Sequence, residues 1–238
     1  MGCAHNKNQN GFTLVEIAIV MIIIGLLIGG TFGGMKLIEN MQVNKTVQDL
    51  KAIESAALTF KDTYGRLAGD ITNPSVRLSN CTVAPCATGG NGNRTYDTAV
   101  WSEVMTATME KFTLWSHLQA ADLLTLGTKN TTDLNFSEGQ PESPLSGGYR
   151  ITRYTGIFAI AGTMPLREAV AFITSESSAT LLSGNGIECA KAQAIDLKID
   201  DGVANDGYFR GYLCAALTPT SPYIIANEGV PFYDLKGF

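Results

Sequence analysis

Residues Gly11-Phe12-Thr13-Leu14-Val15-Glu16 join a short polar leader to a long apolar run. After Glu16, the next charged residue is Lys36. The 24 residues from Phe12 to Met35 are enough, at about 1.5 Å rise per residue, for a helix to cross a hydrocarbon core of about 30 Å. The sequence therefore predicts a membrane helix that follows the leader directly.

Glu16 is the acidic residue inside this predicted span. An acidic side chain costs roughly 2.5 to 3.5 kcal/mol near the bilayer centre, and less toward the interface. One interpretation is an uncleaved signal anchor in which Glu16 reaches the near interface. The other is that Glu16 gains a positively charged partner.

The stretch from Gly11 to Glu16 closely resembles the class III signal of type IV prepilins and secretion-system pseudopilins. In these families a prepilin peptidase cleaves after the glycine and methylates the new terminal residue. The resemblance therefore implies cleavage between Gly11 and Phe12, methylation of Phe12, and loss of the leader, residues 1–11. An ordinary secretory signal fits less well, because the apolar run is too long and lacks a small-residue cleavage box.

Beyond Met35, apolar residues recur at every third or fourth position, which is the pattern of one helix face. Together with the apolar run, this predicts one helix in two parts: a transmembrane half at 12–35 and an amphipathic half at 36–64. The glycines between Gly25 and Gly34 either allow close helix packing or mark the region where pilin helices loosen. The apolar stripe comprises Val43, Val47, Leu50, Ile53, Ala57, Phe60 and Tyr64.

The remaining residues, 65–238, are long enough to form one globular region. Polar stretches at 65–94 and 127–148 predict exposed loops. Between them, 100–126 has apolar residues three and four positions apart, which predicts a second helix whose aromatic side chains enter the core. We expect His117 at the surface or at a helix cap, without a catalytic role.

Strand-forming residues dominate the carboxy-terminal part. Among them, Ile187–Leu197 is dense in Ala, Lys and Gln and predicts a short helix capped by Ser183 or Asn185. A long helix packed on an antiparallel sheet is the α+β roll that the pilin resemblance implies. The predicted strands span 149–160, 168–174 and 208–216.

Composition and motifs disfavour several classes of function. The net charge is −5 and no basic cluster occurs, which argues against nucleic-acid binding. The sequence contains no Gly-x-Ser-x-Gly elbow, no phosphate-binding glycine loop before a helix and no His-rich metal box. We therefore expect a protein that is not an enzyme.

The cysteine count agrees with removal of the leader, because losing Cys3 reduces five cysteines to four. Three pairings of these four are conceivable, and their spacing favours Cys81 with Cys86 and Cys189 with Cys214. Two disulfides imply an oxidising, extracytoplasmic compartment. A zinc site at the first pair is disfavoured, because only one histidine would remain in the mature chain.

Four aspartates, Asp196, Asp200, Asp201 and Asp206, lie near glycines in a segment that resembles the carboxy-terminal region of some prepilin-like proteins. They could supply oxygen ligands to Ca²⁺, as a loop of major pseudopilins does. The alternative is that Asp and Gly serve turn geometry here. We expect no other cofactor.

The pilin resemblance implies a structural subunit, with minor pilin or pseudopilin as the interpretation that the large globular region favours. Its partners would be prepilin peptidase, other pilin or pseudopilin subunits, an inner-membrane assembly platform and membrane lipid. The chain would begin as a single-pass protein of the bacterial inner membrane with its globular region in the periplasm, and then enter a pilus or pseudopilus. The alternative is a membrane-anchored extracytoplasmic binding domain that does not polymerise.

In the filament, Glu16 would pair with the new terminal ammonium on Phe12 of a neighbouring subunit. Such a pair is strongly coupled in a dry environment. Glu16 would then set the register of assembly.

Overall fold

The structure is a computed structural model, and it describes most of the chain after the leader. The described residues are 12–96, 106–126, 129–145, 147–154, 167–174, 186–214, 222–225 and 227–236. The helices are α1 (Leu14–Tyr64), α2 (Pro74–Arg77), α3 (Glu110–Ala120) and α4 (Cys189–Ile199). The strands are β1 (Gly148–Tyr154), β2 (Arg167–Thr174), β3 (Ile187–Glu188), β4 (Phe209–Tyr212) and β5 (Glu228–Asp234).

The chain divides into two compact units, residues 1–41 and 42–238, and the second is called the head below. Helix α1 has 51 residues and continues across this division. Its first part is long and apolar enough to cross a membrane, with a mean hydropathy of 2.5 over its most apolar 18 residues. The apolar side chains that the structure describes there are exposed, including Leu14 at 86% and Leu26 at 74%.

The second part of α1 provides one wall of the head's core. Within the predicted apolar stripe, Leu50, Ile53 and Phe60 are fully buried. Two strands are fastened to this part of the helix by tyrosine hydroxyls. Tyr149 Oη of β1 donates to Asp49 Oδ2 at 3.2 Å, and Tyr233 Oη of β5 donates to Glu54 Oε2 at 2.7 Å.

The described strands form an antiparallel sheet in the order β1-β2-β5-β3, and β4 also pairs with β5. Strand β5 connects the two parts of the sheet, because Tyr233 is paired with Ala171 of β2 and with Phe209 of β4. The long helix, this sheet and the short helices give an α+β, pilin-like arrangement, which confirms the predicted fold class.

The sequence did not predict β5, which contains Pro231. Proline cannot donate to a strand ladder, so it argues against an internal strand. The structure accommodates Pro231 because the pairing of β2 with β5 begins only at Phe232, while Pro231 is paired with Gly211 of β4.

Other boundaries differ from the predicted ones. Helix α3 is shorter than the predicted 100–126: it begins at Glu110 and ends where Asp122 takes a left-handed conformation, with φ of 56°. Helix α4 begins at Cys189, because the two residues before it pair with β5 as β3. The predicted caps Ser183 and Asn185, and positions 100–105, 155–160 and 215–216 of the predicted helix and strands, lie outside the described residues.

Candidate processing and assembly site

Thr13 and Glu16 form a reciprocal set of hydrogen bonds at the start of α1. The amide nitrogen and the hydroxyl of Thr13 both donate to Glu16 Oε2, each at 2.8 Å, and the Glu16 amide donates to Thr13 Oγ1 at 3.3 Å. This arrangement is a capping box, in which a threonine and a glutamate three residues later satisfy each other's backbone donors. The Thr-x-x-Glu spacing is the sequence signal for it, and Glu16 thus has a local role in addition to its charge.

The capping box lies directly after Phe12, the predicted site of methylation, and includes Glu16, the predicted assembly residue. Phe12 precedes the helix and is 84% exposed, and Gly11 lies outside the described residues. Glu16 is also exposed, and its Oε1 makes no hydrogen bond within the part of the chain that the structure describes. One carboxylate oxygen is thus held by Thr13, and the other remains available to a partner.

The glycines of α1 do not interrupt the helix, which is continuous from Leu14 to Tyr64. A Cβ added at Gly25, Gly29, Gly30, Gly33 or Gly34 would meet no atom within 4 Å. These glycines therefore form an open strip on α1 that another helix can approach closely. In the single chain, the helix is not loosened at this position.

Two disulfides occur in the head, with the pairing that the cysteine spacing favours. The sulfurs of Cys189 and Cys214 are 2.04 Å apart, and those of Cys81 and Cys86 are 1.98 Å apart. The first bond fastens the start of α4 to the chain just after β4. The second closes a short loop between α2 and α3.

His117 is fully buried, so the prediction of a surface or capping histidine is wrong. Its Nδ1 accepts a hydrogen bond from the Gly69 amide at 2.8 Å, and its Nε2 lies 2.8 Å from the Cys86 carbonyl oxygen. Because an amide can only donate, Nδ1 is unprotonated and Nε2 carries the proton that it donates to Cys86. His117 therefore joins two loops to α3 as a neutral imidazole.

Burial lowers the pKa of His117 to about 4, against an opposing effect of its hydrogen bonds to backbone carbonyls. Gly69 permits the close packing around this imidazole. Its φ is +93°, and an added Cβ would lie 2.2 Å from the Glu110 carbonyl oxygen. The His117 contacts thus have a structural role.

Within the described residues, one group brings three potential metal-ligand atoms within 4.8 Å of one another: Cys81, Cys86 and His117. The two sulfurs are bonded to each other, so they are not available as thiolates. Both imidazole nitrogens also have hydrogen-bond partners. This cluster is therefore a structural one in the oxidised protein.

Three of the predicted calcium ligands accept hydrogen bonds from nearby backbone amides. Such contacts are typical of aspartates that stabilise turns. Gly207, with φ of +74°, allows one of these turns, since its added Cβ would lie 1.7 Å from Asp200 Oδ2. The bonds run to Asp200 Oδ2 from the amides of Tyr208 and Phe209, to Asp201 Oδ1 from Val203, and to Asp206 Oδ1 from Gly207.

Asp196 differs from the other three, because it is fully buried on α4. Its Oδ2 accepts a hydrogen bond of 2.9 Å from the Tyr223 hydroxyl. Burial raises the pKa of Asp196 to about 7, and the nearby carboxylates of Asp201 and Asp200 act in the same direction. The calcium site itself stays a prediction.

Comparison with protein families gives one finding, and it concerns the amino-terminal end. Residues 6–32 match the model of the prokaryotic N-terminal methylation motif. No curated protein and no solved structure matches the chain. The match covers the predicted cleavage position, the capping box and the first part of α1.

Proposed function

We propose that this chain, which carries the methylation motif of type IV pilins and pseudopilins, is a minor subunit of a type IV pilus-like or type II secretion filament. The motif itself implies a processed, pilin-type subunit that is cleaved by prepilin peptidase and assembles with other such subunits. It also implies a membrane-anchored protein.

The observation that carries the proposal is the exposed apolar surface of α1 directly after the motif. Its described apolar side chains, from Leu14 to Met41, are exposed, and the 18-residue window there is wholly unburied. Such a surface requires lipid before assembly and neighbouring helices after it, since lipid is as apolar as the side chains it would replace. Transfer from the membrane to a filament keeps this surface away from water.

The head supports an extracytoplasmic position. Its two disulfides are stable in an oxidising compartment such as the periplasm. We infer that the subunit is held in the inner membrane with the head in the periplasm, and that it enters a pilus or pseudopilus through an inner-membrane assembly platform. The size of the head and its long loops favour a minor or specialised subunit. We assign it no catalytic activity.

The alternative is a single-pass binding domain that keeps its leader and does not polymerise. Both proposals place the chain in the membrane, so membrane fractionation does not separate them. Filaments sheared from cells, or recovered from cells that overproduce the secretion machine, provide the test. The proposal predicts that antibodies against the head detect the chain in this fraction, whereas a chain confined to the membrane fraction supports the alternative.

A further inference from the structure

Five Asn-x-Ser/Thr triplets with a residue other than proline in the middle occur in the chain. This triplet is the acceptor pattern for N-linked glycosylation in exported proteins, and it requires an accessible asparagine and hydroxyl. In the structure, the five triplets differ in whether their residues are buried or already make hydrogen bonds. Their asparagines are Asn44, Asn80, Asn93, Asn130 and Asn135.

Two triplets have a residue that the fold already uses. Asn44 lies within α1, and the hydroxyl of Thr46 is buried and donates to the Gln42 carbonyl at 2.9 Å. Asn80 is followed by Cys81, which is fully buried in a disulfide. In each of these two triplets a residue of the acceptor pattern is therefore fixed in the interior of the fold.

In the next two triplets the asparagine amide itself is bonded. Asn130 Oδ1 accepts from the Cys86 amide at 3.0 Å, and its Nδ2 donates to the Val83 carbonyl at 3.2 Å. Asn93 Oδ1 accepts from both the amide and the hydroxyl of Thr95, at 2.8 and 2.9 Å. The Asn130 nitrogen and the Thr95 hydroxyl are therefore occupied.

The side chain of Asn135 is exposed and makes no hydrogen bond within the described part of the chain. It lies in a loop whose ends are joined by an ion pair, in which Lys129 Nζ is 2.6 Å from Glu138 Oε1. Ser137, which supplies the hydroxyl, is also exposed. The loop therefore exposes both the Asn135 amide and the Ser137 hydroxyl, while the ion pair holds its two ends together.

An exposed carboxylate precedes this asparagine by two residues. Asp133 Oδ1 accepts a hydrogen bond from the Asn135 backbone amide at 2.9 Å, which leaves Oδ2 for a partner. Asn135 alone among the five asparagines has an acidic residue at this position. A carboxylate at a fixed distance from the acceptor can pair with a cationic side chain of the modifying enzyme.

We propose that Asn135 is an acceptor for N-linked glycosylation, within the segment Asp133-Leu134-Asn135-Phe136-Ser137, by a membrane oligosaccharyltransferase. This inference rests on the proposed function for the periplasmic position of the head. The donor is an oligosaccharide carried on a lipid pyrophosphate. Asp133 is a positioning residue, and Ser137 orients the acceptor amide.

The transfer is a substitution without oxidation or reduction. The Asn135 amide nitrogen attacks the anomeric carbon of the first sugar, so a carbon–nitrogen bond forms. The carbon–oxygen bond to phosphate breaks, and the lipid pyrophosphate leaves with its electron pair. The amide nitrogen gives up one proton to a base of the transferase.

The test uses the detergent-solubilised chain purified from cells, incubated with a bacterial oligosaccharyltransferase and its lipid-linked oligosaccharide. Intact mass and peptide mapping are expected to show one glycan, on Asn135. The variants Asn135→Gln and Ser137→Ala should lose it, and Ser137→Thr should keep it. Asp133→Asn should lose it while Asp133→Glu keeps it, because only the glutamate retains the charge. Asn93→Gln serves as the control that leaves the glycan in place.

An unmodified wild-type chain, or a glycan that persists in Asn135→Gln, would overturn the proposal. Equal modification of Asp133→Asn and wild type would remove the role of Asp133. The same mass spectrum reports whether residues 1–11 have been lost. A modified chain that keeps its leader therefore counts against the proposed function alone, and a processed chain without a glycan counts against this inference alone.

Discussion

The carboxylate of Glu16 accepts two hydrogen bonds from Thr13, one from its amide nitrogen and one from its hydroxyl, both at 2.8 Å. These bonds cap the first turn of α1. They keep the Glu16 carboxylate at the amino-terminal end of the helix, next to the terminus that cleavage before Phe12 would create. A glutamine at this position can also complete a capping box, but it carries no charge. The local role of Glu16 and its proposed role between subunits can therefore be separated by substitution.

We predict that Glu16→Leu is inserted and cleaved normally and is at least as stable in the membrane as wild type, but does not enter filaments. The reason is that the ammonium on a neighbour's Phe12 would be buried unpaired, and breaking a buried pair costs about 3 to 5 kcal/mol. Glu16→Gln is expected to fail in the same way, although it keeps the cap. The measurement is the amount of each variant in the sheared filament fraction.

Two results would change this interpretation. Assembly of Glu16→Leu at the wild-type level would mean that the subunit docks by its apolar surface alone. Assembly of Glu16→Gln but not Glu16→Leu would assign the requirement to the capping box with Thr13. Thr13→Ser, which keeps the hydroxyl, is the matched control.

The bond between Cys189 and Cys214 should contribute more stability than the one between Cys81 and Cys86. In the chain-entropy model, closing the longer loop of sequence separation 25 is worth about 3.5 kcal/mol, and closing the shorter loop of separation 5 about 2 kcal/mol. Replacing each pair by serine and measuring the free energy of unfolding in denaturant tests this order. If the variant without Cys81–Cys86 lost as much unfolding free energy as the variant without Cys189–Cys214, or more, native contacts would outweigh loop closure.

His117 should remain neutral well below the usual pH for histidine. Because its pKa falls from 6.5 to about 4 on folding, the unfolded chain binds the proton first. The contribution of His117 to stability is therefore complete above about pH 6.5 and is lost as the pH falls toward 4. Asp196, with a pKa raised to about 7, has the opposite effect over part of this range, so a stability curve alone would mix the two.

Nitrogen-15 NMR of the imidazole in the mature chain isolates His117, because the other histidine, His5, lies in the leader. We expect Nδ1 to be unprotonated and Nε2 protonated, with a titration midpoint near 4. A midpoint near 6.5 would show that the imidazole is exposed to water and that the contacts with Gly69 and Cys86 do not hold in solution.

The sequence was sufficient for features that depend on local periodicity and spacing. The stripe that includes Leu50 and Phe60 determined the extent of α1 to Tyr64, and the five-residue separation of Cys81 and Cys86 favoured their pairing. Both features follow from residues close together in the chain. The methylation motif is equally local.

What the sequence did not predict depends mostly on contacts between distant residues. His117 makes hydrogen bonds with Gly69 and Cys86, which are 48 and 31 residues away, and no local pattern indicates those partners. Strand β5 contains Pro231, and this residue is acceptable because it pairs with Gly211 of the distant β4 while the pairing with β2 begins only at Phe232. The capping box of Thr13 and Glu16 is the exception, because its three-residue spacing is a local signal.

The calcium proposal predicts that millimolar Ca²⁺ raises the melting temperature of the detergent-solubilised chain and that a chelator reverses the rise. Asp200→Asn should weaken the effect, because it removes one of the four proposed carboxylate ligands. Mg²⁺ at the same concentration is the control. A melting temperature that neither Ca²⁺ nor chelator changes would leave the four aspartates with the turn and core contacts seen in the structure.

The intact mass of the protein purified from bacterial membranes, with sequencing of its terminal peptide, shows whether the leader has been removed. If the chain is a processed pilin-type subunit, residues 1–11 are absent and Phe12 carries one added methyl group. A variant with a bulky residue at Gly11 should keep the leader and serves as the unprocessed standard. A wild-type chain that still begins at Met1 would contradict the account and favour an uncleaved membrane anchor.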